Sequence, residues 1–429
     1  MKRLLLILAA WLALALPVWA TTQTETLNWS ASTAGATTTV TTTFQYEAVI
    51  FTSHCKTTEG ETAAEAWSIG PSDGTNHRSI ASAGDDAVAT SNVGRGWQTA
   101  NALQCYSNGN PTNPVGGRIT GVTFNPTNMV VTFNATPSSA WEISSIGIGG
   151  VDITNVFVGT GTMPTTSSVL NITAPGFQGN GVLIIAARAT APIDGTSTLM
   201  SLGFACSVSK RWAWTGAVQD GQTTSANVNG MSKIRDDKVL LVQNVVNADE
   251  AIADFAGFTA NGYDLDFQTG NGNLAPASAY QFGYLVWKGG QCDCGVGTKP
   301  TGASAQNFSV AFTPRAMGWF MSSPTALNTY TSNAISTFGA WDGTSEVYAG
   351  GFHNDAINTV AKSAGGSTKV LCELNATACA DGTTLGLTST ITWDATGTAF
   401  LTPWFAIGDN AAAGKTMAGG GTMTGGGTW

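Results

Sequence analysis

Few residues in this 429-residue chain are of types that do chemistry. It has three histidines, His54, His77 and His353, and they fall at non-equivalent places along the chain. No HExxH or GxxxxGK[ST] pattern accompanies them, so neither a zinc helix nor a phosphate cradle is written here. Three aspartates recur at a fixed interval: Asp86, Asp220 and Asp355 stand 134 and 135 residues apart, each followed four residues later by a threonine. Calcium takes about six to eight oxygen ligands, which makes these three weak candidates for it. The competing reading is an Asx turn, in which the carboxylate accepts nearby backbone N–H groups, and it is the favoured one. Zinc finds no suitable set, because Cys292 and Cys294 lack a two-residue spacer and have no histidine nearby. No other cofactor is indicated.

Aromatic residues offer a binding chemistry instead. Trp212 and Trp214 alternate and therefore share one face of a strand, and Tyr280 lies in the same third of the chain. Exposed, they would form a stacking platform for sugar rings; inward, they would fill a core, which is the commoner fate of such rings. Seven cysteines leave one over after pairing. Cys372 and Cys379, either side of a short turn, are the disulfide candidate. Cys55, Cys105 and Cys206 read as small buried side chains.

The elements that would position these residues are strands. From Phe258 to Gly290, Tyr263, Leu265 and Phe267 alternate with Asp264 and Asp266, a Gly- and Asn-rich loop follows, and a second apolar run ends at Gly289-Gly290. A period of two with such punctuation predicts strand, turn, strand, as a hairpin or a sandwich edge. The pattern recurs at Met129, Val131 and Phe133 before Gly149-Gly150, and at Ile391 and Trp393 before Gly408. Upstream of each lies a short step, Ser68-Ile69-Gly70, Ser201-Leu202-Gly203 or Thr337-Phe338-Gly339, then a further strand and the aspartate turn. The chain is one module written three times. A unit of about 130 residues is long enough to bury its own core, so domains in series are expected rather than a solenoid. The predicted fold class is all-β: three tandem two-sheet sandwiches of jelly-roll or lectin-like kind over 37–155, 156–293 and 294–409.

Composition sets the surroundings. Residues 1–20 read as a cleaved secretory signal: Lys2-Arg3, an apolar run from Leu4 to Leu16, and Val18-Trp19-Ala20. Residues 21–36 form a Thr/Ser-rich leader, and 410–429 a Gly-rich flexible tail or the opening turn of a lost fourth copy. Only 10% of residues are charged, 52 are glycine, and the net charge is −9. An acidic surface disfavours nucleic acid and anionic membrane as partners. No later segment could span a membrane as a helix.

The Pro- or Gly-opened apolar strand, the SxG step, RWAW, DDAVATSN, and the closing GYDLDF…YQFGYLVWKGG and TITWDATGTAFLTPWFAIG resemble a module of tailed-bacteriophage and environmental-virus proteins. Those proteins are mostly hypothetical or virion-associated, some tail-fibre-like, and the resemblance spans most of residues 37–410. It implies a virion-type or surface structural role, from which the signal sequence departs. The resulting expectation is a secreted, non-enzymatic protein for surface attachment or virion-type structure. Its partners would be a surface glycan or another virion or surface protein. The alternatives are a secreted polysaccharide-active enzyme, which would need carboxylates about 5–10 Å apart in a groove, and an outer-membrane barrel.

Overall fold

A computed structural model describes residues 21–410 apart from 87, 89, 107–113, 138, 223–229, 355–360 and 375–377. The proposed signal, the tail beyond Asn410 and Asp355 lie outside the described residues. The described chain is all-β, with one short 3₁₀ turn at Thr269–Asn271 and no α-helix. Among the described residues no helix is long and apolar enough to cross a membrane.

Six antiparallel sheets form three sandwiches, each of a seven-stranded and a four-stranded sheet. Alternation is the reason they close. Tyr263, Leu265 and Phe267 are fully buried, as are Met129, Val131 and Ile391, with Phe133 and Trp393 nearly so. The recurrent SxG step has a steric cause. A Cβ on Gly203 or Gly339 would lie 1.8 Å from the carbonyl oxygen of Val239 or Val370, and one on Gly70 would lie 2.4 Å from that of Ala102. In each module only glycine admits the chain of the smaller sheet against the larger one.

Three sequence expectations need correction. Gly262–Asp266 and Gln281–Lys288 do not form a hairpin: the first pairs in the four-stranded sheet, the second in the seven-stranded sheet facing it. The loop between them crosses the sandwich. The leader 21–36 does not stand apart from module one, because Gln23–Ser30 pairs along its whole length with Glu142–Gly149. Its counterparts are Asn155–Thr162 on Gln281–Lys288 and Gln291–Thr298 on Leu401–Gly408, so the third module starts at Gln291 rather than at 294.

The modules are also not beads in series. The seventh strand of each large sheet comes from another module. Gly60–Ala63 of module one pairs with Ala361–Gly366 of module three; Ile193–Thr196 of module two pairs with Val93–Gln98 of module one; Thr331–Ser332 of module three pairs with Met231–Arg235 of module two. Three donations in one direction close a ring. Each module keeps a core of its own, around Phe51 and Trp141, Phe255 and Tyr284, or Trp319 and Trp404. The three large sheets then bury a further, common core. There Trp67 meets Trp214 at 6.4 Å, Trp212 stacks on Phe320 at 6.2 Å, and Phe204 stacks on Phe405 at 4.4 Å, each contact between different modules. A side chain of this size contributes about 2–3 kcal/mol when fully buried, so the ring is held from within.

The two linkers and both ends of the described chain meet. Thr22 donates to Asp409 Oδ1 (2.9 Å) and to the carbonyl of Gly408 (2.8 Å), and the amide of Asn410 donates to Asp152 Oδ2 (2.9 Å). Gly290, at φ +67°, sits where a Cβ would be 2.9 Å from both Gly408 O and Thr22 Oγ1.

Candidate functional site

Trp212, Trp214, Asp86 and Asp220 fall on the joints of this ring, where they are consumed by structure. Trp212 and Trp214 are each 1% exposed. Their indole N–H groups donate to Trp404 O (2.9 Å) and Ser322 Oγ (2.8 Å) of module three. They cannot form an exposed platform. A strand with both faces covered, one by its own sandwich and one by the neighbouring modules, can carry tryptophan at alternate positions with no face to water. Tyr280 is 9% exposed and donates its hydroxyl to Glu250 Oε2 (2.8 Å).

Two of the three repeated aspartates stitch modules together. Asp220 Oδ1 accepts the amide of Val93 in module one (3.0 Å), and Asp86 Oδ1 accepts that of Ala361 in module three (3.1 Å). Asp264 holds Asn171, and Asp266 holds Gln268 and Asn271. Asp237 is bound by Arg235. Among the described residues no three His, Cys, Asp or Glu side chains gather as a metal site.

Cys372 and Cys379 form the disulfide that their spacing suggested. Cys55, Cys105 and Cys206 are not free: Cys55 pairs with Cys105 inside module one, and Cys206 of module two pairs with Cys292 of module three. Neither partnership could be read from spacing, since 50 and 86 residues separate the members. Cys294 remains, buried, its thiol pushed up by burial.

Open clefts lie at joints. Between modules one and three, a hollow of about 450 Å³ is lined by hydroxyls and amides, among them Thr26, Asn28, Thr344 and Ser367, with Glu346. Between modules one and two, a hollow of about 240 Å³ is lined by Arg95 from one side and by Arg188, Pro192, Ile193 and Tyr280 from the other. Ile193, 38% exposed, and Pro192 give it an apolar wall. Arg188, at φ +44°, is clamped by Glu250 Oε1 at 2.7 Å and lies over the Tyr280 ring, 5.7 Å from its centre. Arg95 donates through Nη1 to the carbonyls of Thr196 and Ser197. Its Nε is buried without a partner. Burial, and then the positive charge of Arg188, bring its pKa down to about 10.

A second buried group lies at the joint of modules one and three. Glu65 accepts from Ser82 Oγ (2.7 Å), its other oxygen is unpartnered, and burial pushes its pKa up to about 7. His353, whose Nε2 also lacks a partner, packs on Gly84, the cross-strand neighbour of Glu65; burial takes its pKa down to about 4.

Arg95, Arg188, Glu65 and His353 were not singled out as functional from sequence. The repeat holds a usable signal. Register places Arg95 where the other modules have Ser232 and Ser363, and Arg188 where they have Ser323 and Cys55. Departures of this kind become visible only once the three copies are aligned strand by strand.

No family model matches this chain. No curated protein matches it either. Among solved structures, a β-fructofuranosidase from Schwanniomyces occidentalis complexed with fructosyl-erythritol aligns with 91% of this chain and 94% of its own at 7% identity and a TM-score of 0.15. A variant of that fructofuranosidase complexed with fructosylnystose covers 80% and 89% at 8% identity and a TM-score of 0.12. Scores this low carry no argument about fold or activity.

Proposed function

We propose that this is an exported, non-enzymatic protein of surface attachment or virion-type structure that engages glycans at its module joints. The observation that carries the reading is the closed ring. Three like sandwiches exchange strands and share a core, which makes one chain the equivalent of a trimer and presents like surfaces three times around it. Such repetition raises avidity for a repetitive ligand without new contacts. The clefts support it too, being open and placed at joints, and Asp86 and Asp220 are committed to hydrogen bonds that hold the fold. The resemblance of the repeat to tail-fibre-like phage modules points the same way.

A polysaccharide array probed with the full chain tests it. Saturable binding, with polymer length unchanged after prolonged incubation, is the expected result. Release of reducing ends would instead establish the polysaccharide-active enzyme and overturn this reading.

A further inference from the structure

The ring offers an internal control: three joints built to one plan, of which one differs. At each joint the donated strand ends in a residue with left-handed backbone, Ala64 (φ 64°), Ser197 (φ 60°) or Asn333 (φ 74°). Its carbonyl accepts a hydrogen bond from the receiving strand. Ser363 Oγ donates to Ala64 O at 3.1 Å, and Ser232 Oγ donates to Asn333 O at 3.3 Å. At the joint of modules one and two, Arg95 Nη1 does the same to Ser197 O at 3.0 Å. A serine hydroxyl therefore suffices for the structural task. Arginine brings five donors where one is needed, and burying a guanidinium without a carboxylate carries a desolvation cost that serine avoids.

That cost is visible in the surroundings. Arg95 has no carboxylate partner among the described residues; the nearby Asp194 is taken by Arg118, Gln98 and Tyr106. A second arginine, Arg188, lines the same cleft, and its charge disfavours that of Arg95. Glu250 occupies Nε and Nη2 of Arg188, which neutralises one of the two positive charges and leaves Nη1. The cleft is left with one net positive charge, guanidinium donors on one side and the apolar Pro192–Ile193 wall beside them.

From these contacts we propose that the Arg95–Arg188 cleft binds an acidic sugar residue, its carboxylate held by the two guanidinium groups and its ring C–H face against Pro192 and Ile193. Carboxylate and guanidinium match as planar groups, and a bound anion relieves the repulsion between the arginines. The assignment rests on the glycan-binding reading and narrows it to uronic-acid-type ligands at a single joint.

The test is calorimetric titration of the full chain with tri-galacturonic acid, its trimethyl ester and inorganic sulfate. The acid is expected to bind saturably, the ester not. Arg95→Ser, the residue the other joints already use, is expected to leave the unfolding temperature nearly unchanged. It should weaken the acid on the order of tenfold to a hundredfold, the scale of one charge-assisted contact. Arg188→Ser should weaken it similarly. Equal binding of acid and ester, sulfate binding without binding of the acid, no binding of any probe, or full binding by a folded Arg95→Ser would each overturn the assignment. Binding of neutral polysaccharides on the array, unaffected by Arg95→Ser, would leave the attachment reading standing while this assignment fell.

Discussion

At the scale of single residues, the fold uses its polar groups as fasteners between modules. Asp220 shows this best: its carboxylate takes the Val93 amide, and its own amide donates to Ser197 Oγ at 3.1 Å. Asp220→Ala leaves a partly buried amide unmade and should cost about 1–3 kcal/mol, read as a lower denaturation midpoint with an unchanged slope. Calcium should not alter the melting temperature of the parent chain. A rise with millimolar Ca²⁺ that EDTA reverses would restore the metal reading of Asp86, Asp220 and Asp355.

Glu65 and His353 make the joint of modules one and three sensitive to pH in opposite senses. The Glu65 carboxyl, ordinarily near 4.5, sits at about 7 in the folded chain, so the fold favours its protonated form. The stability it contributes is complete below about 4.5 and is lost as pH rises through about 7. His353, ordinarily 6.5, sits at about 4, so its contribution is complete above 6.5 and lost as pH falls through about 4. Glu65→Gln should therefore match the parent below about pH 4.5 and exceed it above neutrality by up to about 3 kcal/mol, one pKa unit being worth about 1.4 kcal/mol. Denaturant melts across that range check the sign; a variant less stable than the parent at alkaline pH would refute it.

At the scale of elements, the sequence shows strands better than it shows which sheet they join. Period-two runs mark buried positions correctly at Tyr263, Leu265 and Phe267, because alternation is a local property of the pleat. The hairpin expected between Gly262–Asp266 and Gln281–Lys288 fails because turn residues report a change of direction and not the sheet the chain next enters. The donated strands Gly60–Ala63, Ile193–Thr196 and Thr331–Ser332 are short and mostly small or polar, so no hydrophobic pattern announces them. Trp212 and Trp214 were ambiguous for a related reason: an aromatic pair looks the same whether its face meets solvent or another module. The candidate cleft was the least legible, since Arg95 and Arg188 lie 93 residues apart and meet only through strand donation. Cys206–Cys292 is the covalent counterpart of that donation, tying module two to module three. Replacing both cysteines by serine should lower stability by about 2–4 kcal/mol, an effect absent when parent and variant are compared under reducing conditions.

At the scale of the whole molecule, ring closure changes what a module is. Domains in series would each unfold at their own temperature, giving up to three transitions. Here, removing one sandwich withdraws a strand from a neighbour's sheet, takes a partner strand from another, and opens the common core around Trp67, Trp212, Trp214 and Phe320 to water. The ring should therefore melt as one unit, with calorimetric and van't Hoff enthalpies equal. Because Thr22 and Asn410 both reach the place where the linkers meet, position in the sequence should matter little to the fold. A circular permutant opened between Gly289 and Gly290, with the ends near residues 21 and 410 joined by a short flexible link, should retain the single transition within a few degrees. Module two alone, residues 155–288, should instead expose Leu202, Phe204, Trp212 and Trp214, and self-associate or fail to fold. Three separable transitions in the parent, or a monomeric and fully stable isolated module, would show that the strand exchanges contribute little and that the copies stand independently after all.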